Sequence, residues 1–232
     1  MQGLLLVDKP AGWTSFDVVN YVRRIVATTE AKKPKNCKVG HTGTLDPFAT
    51  GLLVLLIGKE YTRRASELSK LNKVYEVTMK LGQASTTGDP EGEITEIQVL
   101  AQPTLEEIEA AFSKFRGEIM QIPPAYSAIK IDGQRAYSLA RAGKEVVIEP
   151  RKVTINRLEI TDYNYPEVKY IADVSSGTYI RTLSEDIAKS LGNSAYTTEL
   201  RRSSVSTYTV KDAVVIEGLD AEIIAKNLLS SL

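Results

Sequence analysis

Gly40-His41-Thr42-Gly43-Thr44-Leu45-Asp46-Pro47-Phe48-Ala49-Thr50-Gly51 sets one carboxylate among close-spaced glycines and a proline, beside the only histidine of the 232-residue chain. An apolar run from Leu52 to Ile57 follows directly. Glycines allow tight turns, and an apolar run bounded by turn residues marks buried structure. A carboxylate held in such a turn can act as a nucleophile. It can equally cap a short helix beginning at Pro47, because Asp is a favoured cap and Pro a favoured first helical residue. Local pattern leaves both uses of Asp46 open.

Working outward from this stretch, Leu4 to Val7 reads as a short buried strand and Lys9-Pro10-Ala11-Gly12 as a turn. Thr14 or Ser15 can cap a helix that carries Val18, Val22, Ile25 and Val26 on one face. Lys32, Lys33, Lys35 and Lys38 make a basic loop before the stretch, and Arg63 and Arg64 follow it. From Lys73 to Leu81 the pattern alternates, with Tyr75, Val77, Met79 and Leu81 on the apolar face of a strand. Residues 84–92 are polar and turn-rich, and Thr104 with Glu107 forms a capping box for a helix burying Ile108, Phe112 and Phe115. Residues 122–146 mix Lys130, Arg135, Arg141 and Lys144 with Tyr126 and Tyr137, and predict an insertion built as a hairpin and a short helix. Residues 151–161 and 168–175 read as strands. Ser176-Gly177-Thr178 then turns into a helix with Ile180, Leu183, Ile187 and Leu191 on one face. A strand over 204–210 and a helical tail over about 213–232 complete the expected order. The result is a single mixed α/β (α+β) domain over 1–232.

Lys+Arg and Asp+Glu are both 29, so net charge identifies no partner. The clustered lysines still offer a basic face to a polyanion, against the ordinary alternative of a solvated surface. Cys37 is alone, which excludes an internal disulfide and a Cys-rich zinc site. The N-terminus lacks a basic leader and a long apolar run, and no run is long enough to span a bilayer, so a cytoplasmic location without membrane contact is expected. No phosphate-binding Gly-x-x-x-x-Gly-Lys-Ser/Thr loop occurs, nor a dinucleotide fingerprint after a strand. A Ser-His-Asp triad would need His41, and no serine sits in a nucleophile elbow. An aspartate-nucleophile phosphatase would want a second carboxylate two residues beyond Asp46, where Phe48 stands. Taken singly, His41 reads as a satisfied loop histidine, Tyr75 as core and Arg181 as solvated.

Four blocks in order change that. They are residues 3–15 (Gly-Leu-Leu-Leu-Val-Asp-Lys-Pro-Ala-Gly-Trp-Thr-Ser), residues 40–51, and Lys73-Val74-Tyr75 with Leu81-Gly82, Thr87-Gly88-Asp89 and Glu91-Gly92. The last is Ser175 to Leu183 followed by Glu199-Leu200-Arg201-Arg202. With these blocks the chain resembles the TruB family of tRNA pseudouridine synthases from about Gly3 to Val210. The resemblance implies a pseudouridine synthase fold, a curved and mainly antiparallel sheet with flanking helices and a central catalytic cleft. It implies isomerisation of uridine 55 in the tRNA T loop, after the base is flipped into a pocket.

On the same resemblance, Asp46 is the nucleophile, Tyr75 stacks on the uracil and removes the C5 proton, and Arg181 pairs with Asp46. Leu200 walls the pocket, and His41 fills space left by a flipped base. Tyr179 is expected on the substrate-binding side, with Lys9 there too or structural. The insertion over 122–146 is expected to close over RNA. The reaction needs no redox step or activated group, so no cofactor and no metal are expected. The partner implied is tRNA through its T arm, with no protein partner required and a monomeric protein. Family members commonly add a small C-terminal PUA-type domain, and none is expected within 1–232. The competing possibility is a tRNA-binding or tRNA-folding protein that kept the fold without the chemistry.

Overall fold

Lys9 and the Asp46 stretch meet across two adjacent strands, with Lys9 opposite Gly51. The computed structural model describes residues 1–99, 101–124, 130–131, 134–135 and 148–230. Its strands are β1 (Gly3–Lys9), β2 (Val39–His41), β3 (Thr50–Ile57), β4 (Lys73–Leu81), β5 (Gln83–Ser85), β6 (Ile94–Glu96) and β7 (Gly117–Gln121). They continue as β8 (Lys130–Ile131), β9 (Gln134–Arg135), β10 (Arg151–Asn164), β11 (Glu167–Val174), β12 (Ala195–Val205), β13 (Tyr208–Thr209) and β14 (Val214–Val215). The helices are α1 (Ser15–Thr29), α2 (Lys59–Arg63), α3 (Ala65–Leu68), α4 (Leu105–Ser113), α5 (Ile180–Ser190) and α6 (Ala221–Lys226). None of them is long and apolar enough to cross a membrane. The chain divides into two compact units, Met1–Glu76 with Leu200–Leu232, and Val77–Glu199. Both are mixed α/β, with mainly antiparallel strands and flanking helices.

In the first unit β3 lies antiparallel to β1, with Leu5 opposite Leu55, and antiparallel to β2, with His41 also opposite Leu55. β12 runs parallel to β3 with Arg202 opposite Gly51, and β14 runs parallel to β1. The uninterrupted apolar run of β3 is explained by burial on both faces. Leu5, Val7, Leu53, Leu55 and Ile57 pack with Val18, Val22 and Val26 of α1. Leu4, Leu6, Leu52, Val54 and Leu56 pack on the opposite side with Leu68 and Val205. Thr14 caps α1, its side chain accepting from Asp17 N while the Asp17 carboxylate accepts from Thr14 N.

In the second unit β10 pairs antiparallel with β11 and with β7. The expected capping box of Thr104 and Glu107 starts α4, which buries Ile108 and Phe112. The Phe112 ring meets Tyr170 of β11 edge-on at 5.3 Å. Tyr170 shares a 2.7 Å hydrogen bond with Ser184 of α5, and burial raises its pKa, so the phenol stays neutral.

Three expectations change. No helix begins at Pro47; residues 47–49 form a turn in which Ala49 N donates to Asp46 O at 3.1 Å, and β3 starts at Thr50. The paired, doubly buried β3 takes up the residues a helix would have used. The last long strand begins at Ala195 rather than Ser204, and carries Leu200 and Arg202 in its middle. The tail is only partly helical: Val214 and Val215 pair with β1, and Asp220 caps the six-residue α6. The hairpin expected inside 122–146 is present as β8 against β9. The short helix expected after it lies outside the described residues.

Candidate active site

Asp46 sits half-buried in a loop whose backbone is fixed on both sides of it. Ahead of it, the Ser15 hydroxyl donates to Leu45 O at 3.0 Å and accepts from Leu45 N at 2.8 Å. Arg202 donates to Gly43 O at 3.0 Å, to Thr44 O at 3.4 Å and, through Nε, to Leu52 O at 2.7 Å. Behind it, Pro47 O accepts from Lys9 Nζ at 3.2 Å and from Gly12 N at 2.8 Å. Lys9 also donates to Pro10 O and Trp13 O, at 2.8 and 2.7 Å. Lys9, Ser15 and Arg202 are 0%, 2% and 1% exposed. Buried cations on backbone carbonyls make charge-assisted bonds, each contributing about 1.5–3 kcal/mol. The ammonium of Lys9 is therefore turned inward onto the loop.

Strand geometry links the other first-unit residues to the same loop. Residues two apart on a strand share a face. Leu200 and Arg202 are both buried on β12, and Arg202 reaches the loop. Tyr75 and Lys73 are both buried on β4, and a Cβ added to Gly43 would lie 3.3 Å from Lys73 Cε. So the faces bearing Tyr75 and Leu200 are the faces on which neighbouring cations meet the loop of Asp46. His41 ends β2, and its Nδ1 accepts from Gly43 N at 3.3 Å. Burial, and then the charge of Arg202, lowers the His41 pKa, which leaves a neutral ring at pH 7. Burial and the same guanidinium bring Lys73 down to about 8, while its ammonium donates to Ser69 O and Leu71 O.

Gly51 permits the close approach of β3 to β12. Its φ is +101°, and a Cβ there would lie 2.3 Å from Arg202 O. No other residue fits that register.

Arg181 and Tyr179 belong to the second unit. Arg181 is 5% exposed, not solvated. Its Nη1 donates to Thr87 O at 2.7 Å and to Asp89 Oδ2 at 2.9 Å. Asp89, 2% exposed, is held in turn by Glu91 N and the Thr87 hydroxyl on its other oxygen. Tyr179 caps α5, and its backbone N–H and C=O both bond the side chain of buried Gln121, at 2.8 and 3.0 Å. The sequence reading gave no site role to Ser15, Lys73 or Arg202 at the loop, nor to Asp89 and Gln121 in the second unit. The Thr87-Gly88-Asp89 turn was a usable signal for Asp89; nothing local marked Gln121.

Among the described residues no three His, Cys, Asp or Glu gather where they could hold a metal ion. The first unit holds a positioned carboxylate in the Asp46 loop, with buried Tyr75 and Leu200 on the strand faces that meet it, and the second unit holds the guanidinium of Arg181 fixed on Asp89. Such groups suit covalent and acid–base chemistry on a base.

Residues 28–180 match the family described as TruB family pseudouridylate synthase, N-terminal domain. The tRNA pseudouridine synthase B of Thermobifida fusca (strain YX) is 42% identical over 228 residues, which cover 95% of this chain and 75% of that protein. That of Pseudomonas fluorescens (strain Pf0-1) is 44% identical over 221 residues, covering 95% of this chain and 69% of its own length. Among solved structures, a chain from the crystal structure of a Cbf5-Nop10-Gar1 complex superposes with a TM-score of 0.70 at 26% identity, covering 94% of this chain and 53% of that one. With identity above 40% sustained over nearly its whole length, the chain belongs to the TruB family of pseudouridylate synthases.

Proposed function

We propose that the protein converts a uridine of the tRNA T loop, position 55, to pseudouridine. The observation that carries this is the fixed loop of Asp46, clamped on both sides by buried Ser15, Arg202 and Lys9. The local alternative use of Asp46 as a helix cap has no helix to serve. The relatives at 42–44% identity, named tRNA pseudouridine synthase B, support the same substrate.

In this scheme the target uridine leaves its stack and enters a pocket at Asp46. The carboxylate bonds to a substrate carbon as the N1–C1′ glycosidic bond breaks. The uracil turns over, C5 bonds to C1′, and the carboxylate leaves again. The C5 proton is removed and N1 gains one, so the product is an isomer of the substrate and no group is added or lost. Splitting one difficult displacement into two easier steps is what a carboxylate nucleophile supplies. Tyr75 stacks on the ring and takes the C5 proton. Leu200 is the apolar wall of the pocket. Neutral His41 fills the space left by a displaced base. Arg181 is the cation of the site, preset by Asp89. Tyr179 contributes to substrate binding, and Lys9 positions the loop. The protein acts as a cytoplasmic monomer without a protein partner.

The test is incubation with an unmodified tRNA transcript, followed by mapping of pseudouridine. Pseudouridine at the single T-loop position is expected. A transcript bound but left unmodified would point instead to a tRNA-binding or tRNA-folding protein.

A further inference from the structure

We propose that a basic concavity between α1 and the Pro34–Asn36 turn, separate from the Asp46 loop, seats the phosphodiester backbone of RNA. This rests on the proposed RNA substrate and adds a second point of attachment to it. The concavity has a volume of about 550 Å³ and is lined in part by Asn20, Arg23, Arg24, Lys35 and Lys38. No carboxylate stands among its described lining residues. Four cations therefore meet in one hollow on a chain whose formal net charge is zero.

The cations are arranged rather than scattered. Asn20, Arg23 and Arg24 are three and four residues apart on α1, so they share a helix face. Arg23 is fixed by Asn20 Oδ1 at 2.7 Å and Val39 O at 3.0 Å, and its guanidinium lies 5.7 Å from the centre of the Phe16 ring. Lys35 lies on a short helical turn, Pro34–Asn36, closed by Cys37 N donating to Pro34 O at 3.0 Å, and Lys38 follows directly after it. Cys37 beneath them is buried, which holds the turn to α1 and β2.

Their charge is also unanswered. Among the described residues, Arg24, Lys35 and Lys38 make no ion pair. Some exposed cations elsewhere are matched locally, as Lys32 is by Glu30, Arg64 by Glu67 and Lys152 by Glu118, and others such as Lys70, Lys211 and Lys226 make no ion pair among the described residues, so what distinguishes this group is its gathering in one hollow. A surface cation left without a carboxylate, beside others of its kind in a hollow, is what a polyanion site requires. Spread over a helix face and a turn, the charges suit a strand of successive phosphates better than one small anion. Location fits as well. Val39 lines the hollow and opens β2, whose three residues end at His41, about 7 Å further on. The chain then enters the Asp46 loop, so an RNA held at that loop has backbone within reach of the hollow.

The experiment compares the full chain with Arg24→Ala/Lys35→Ala/Lys38→Ala and with a control, Lys70→Ala/Lys211→Ala/Lys226→Ala. The control removes three exposed cations elsewhere in the same unit. Affinity for a labelled tRNA transcript is measured by anisotropy across a salt series, with melting temperature as the check on folding. The hollow variant should melt normally, bind about tenfold more weakly or worse near 0.1 M salt, and flatten the log–log salt slope by about two. Turnover at saturating tRNA should persist, and the control should change affinity less than about threefold. Unchanged affinity and slope, or an equal loss in the control, overturns the seat. A flattened slope without pseudouridine leaves the seat standing and removes the isomerase. Pseudouridine with an unflattened slope does the reverse.

Discussion

Lys73 shows how one buried side chain supports a loop it does not belong to. It stands on the same face of β4 as Tyr75, against Gly43 and near the guanidinium of Arg202. Burial, with that second positive charge, moves it from 10.5 to about 8. Between those values the unfolded chain holds a proton that the folded chain has released. Stability must therefore rise with pH across that window, and the cost of a buried ammonium is fully present below it. Relative to Lys73→Met, the unaltered protein should gain up to about 3 kcal/mol between pH 7.5 and 10. Denaturant unfolding of both proteins at several pH values checks this; a constant difference would mean that Lys73 titrates normally. Arg181 makes a related point. Its carboxylate partner Asp89 lies 92 positions earlier in the chain, so no local pattern distinguishes the buried arginine from a solvated one.

At the scale of elements, the Asp46 loop owes its shape to the strands around it. β3 enters directly after it, and β12 runs beside β3 so closely that Gly51 has no room for a side chain. Gly51→Ala should cost about 2–4 kcal/mol, combining an unfavourable φ with a backbone clash. Gly12→Ala is the comparison: its φ is +79° with nothing within 4 Å, and it should cost only about 1–2 kcal/mol. Equal losses at the two sites, measured by thermal unfolding, would show that the contact with Arg202 is not limiting.

The same elements show what a sequence carries. The alternation of β4 and the two capping boxes are local patterns, and β4, α1 and α4 follow them. Asp46-Pro47 carries a helix-start signal just as clear, yet pairing of β3 with β1, β2 and β12 overrides it. The alternation of β4 fails at one place, where Thr78 is buried on the nominally polar face and bonds Glu199 of β12 at 2.9 Å. Such contacts depend on register between distant strands, which no window of sequence contains.

For the whole molecule, composition is almost silent and placement is informative. Equal totals of acidic and basic residues hide a cation-lined hollow beside α1 and three buried cations, Lys9, Lys73 and Arg202, against the loop of Asp46. The residues of the proposed chemistry were legible as a set only through their order along the chain, in four blocks. What holds them was not legible: Arg202 and Lys9 on the loop carbonyls, Asp89 on Arg181 and Gln121 on Tyr179 are tertiary facts.

On the proposed function, Asp46 performs chemistry for which its loop is built. Release of tritium from tRNA labelled at C5 of its uridines tests it directly, with Asp46→Asn compared against the unaltered protein and tRNA affinity measured for both. Release by the unaltered protein and none by Asp46→Asn is expected, with affinities within about tenfold, or roughly 1.4 kcal/mol. Release that persists in Asp46→Asn, or activity and binding lost together, would contradict it and make Asp46 a structural residue.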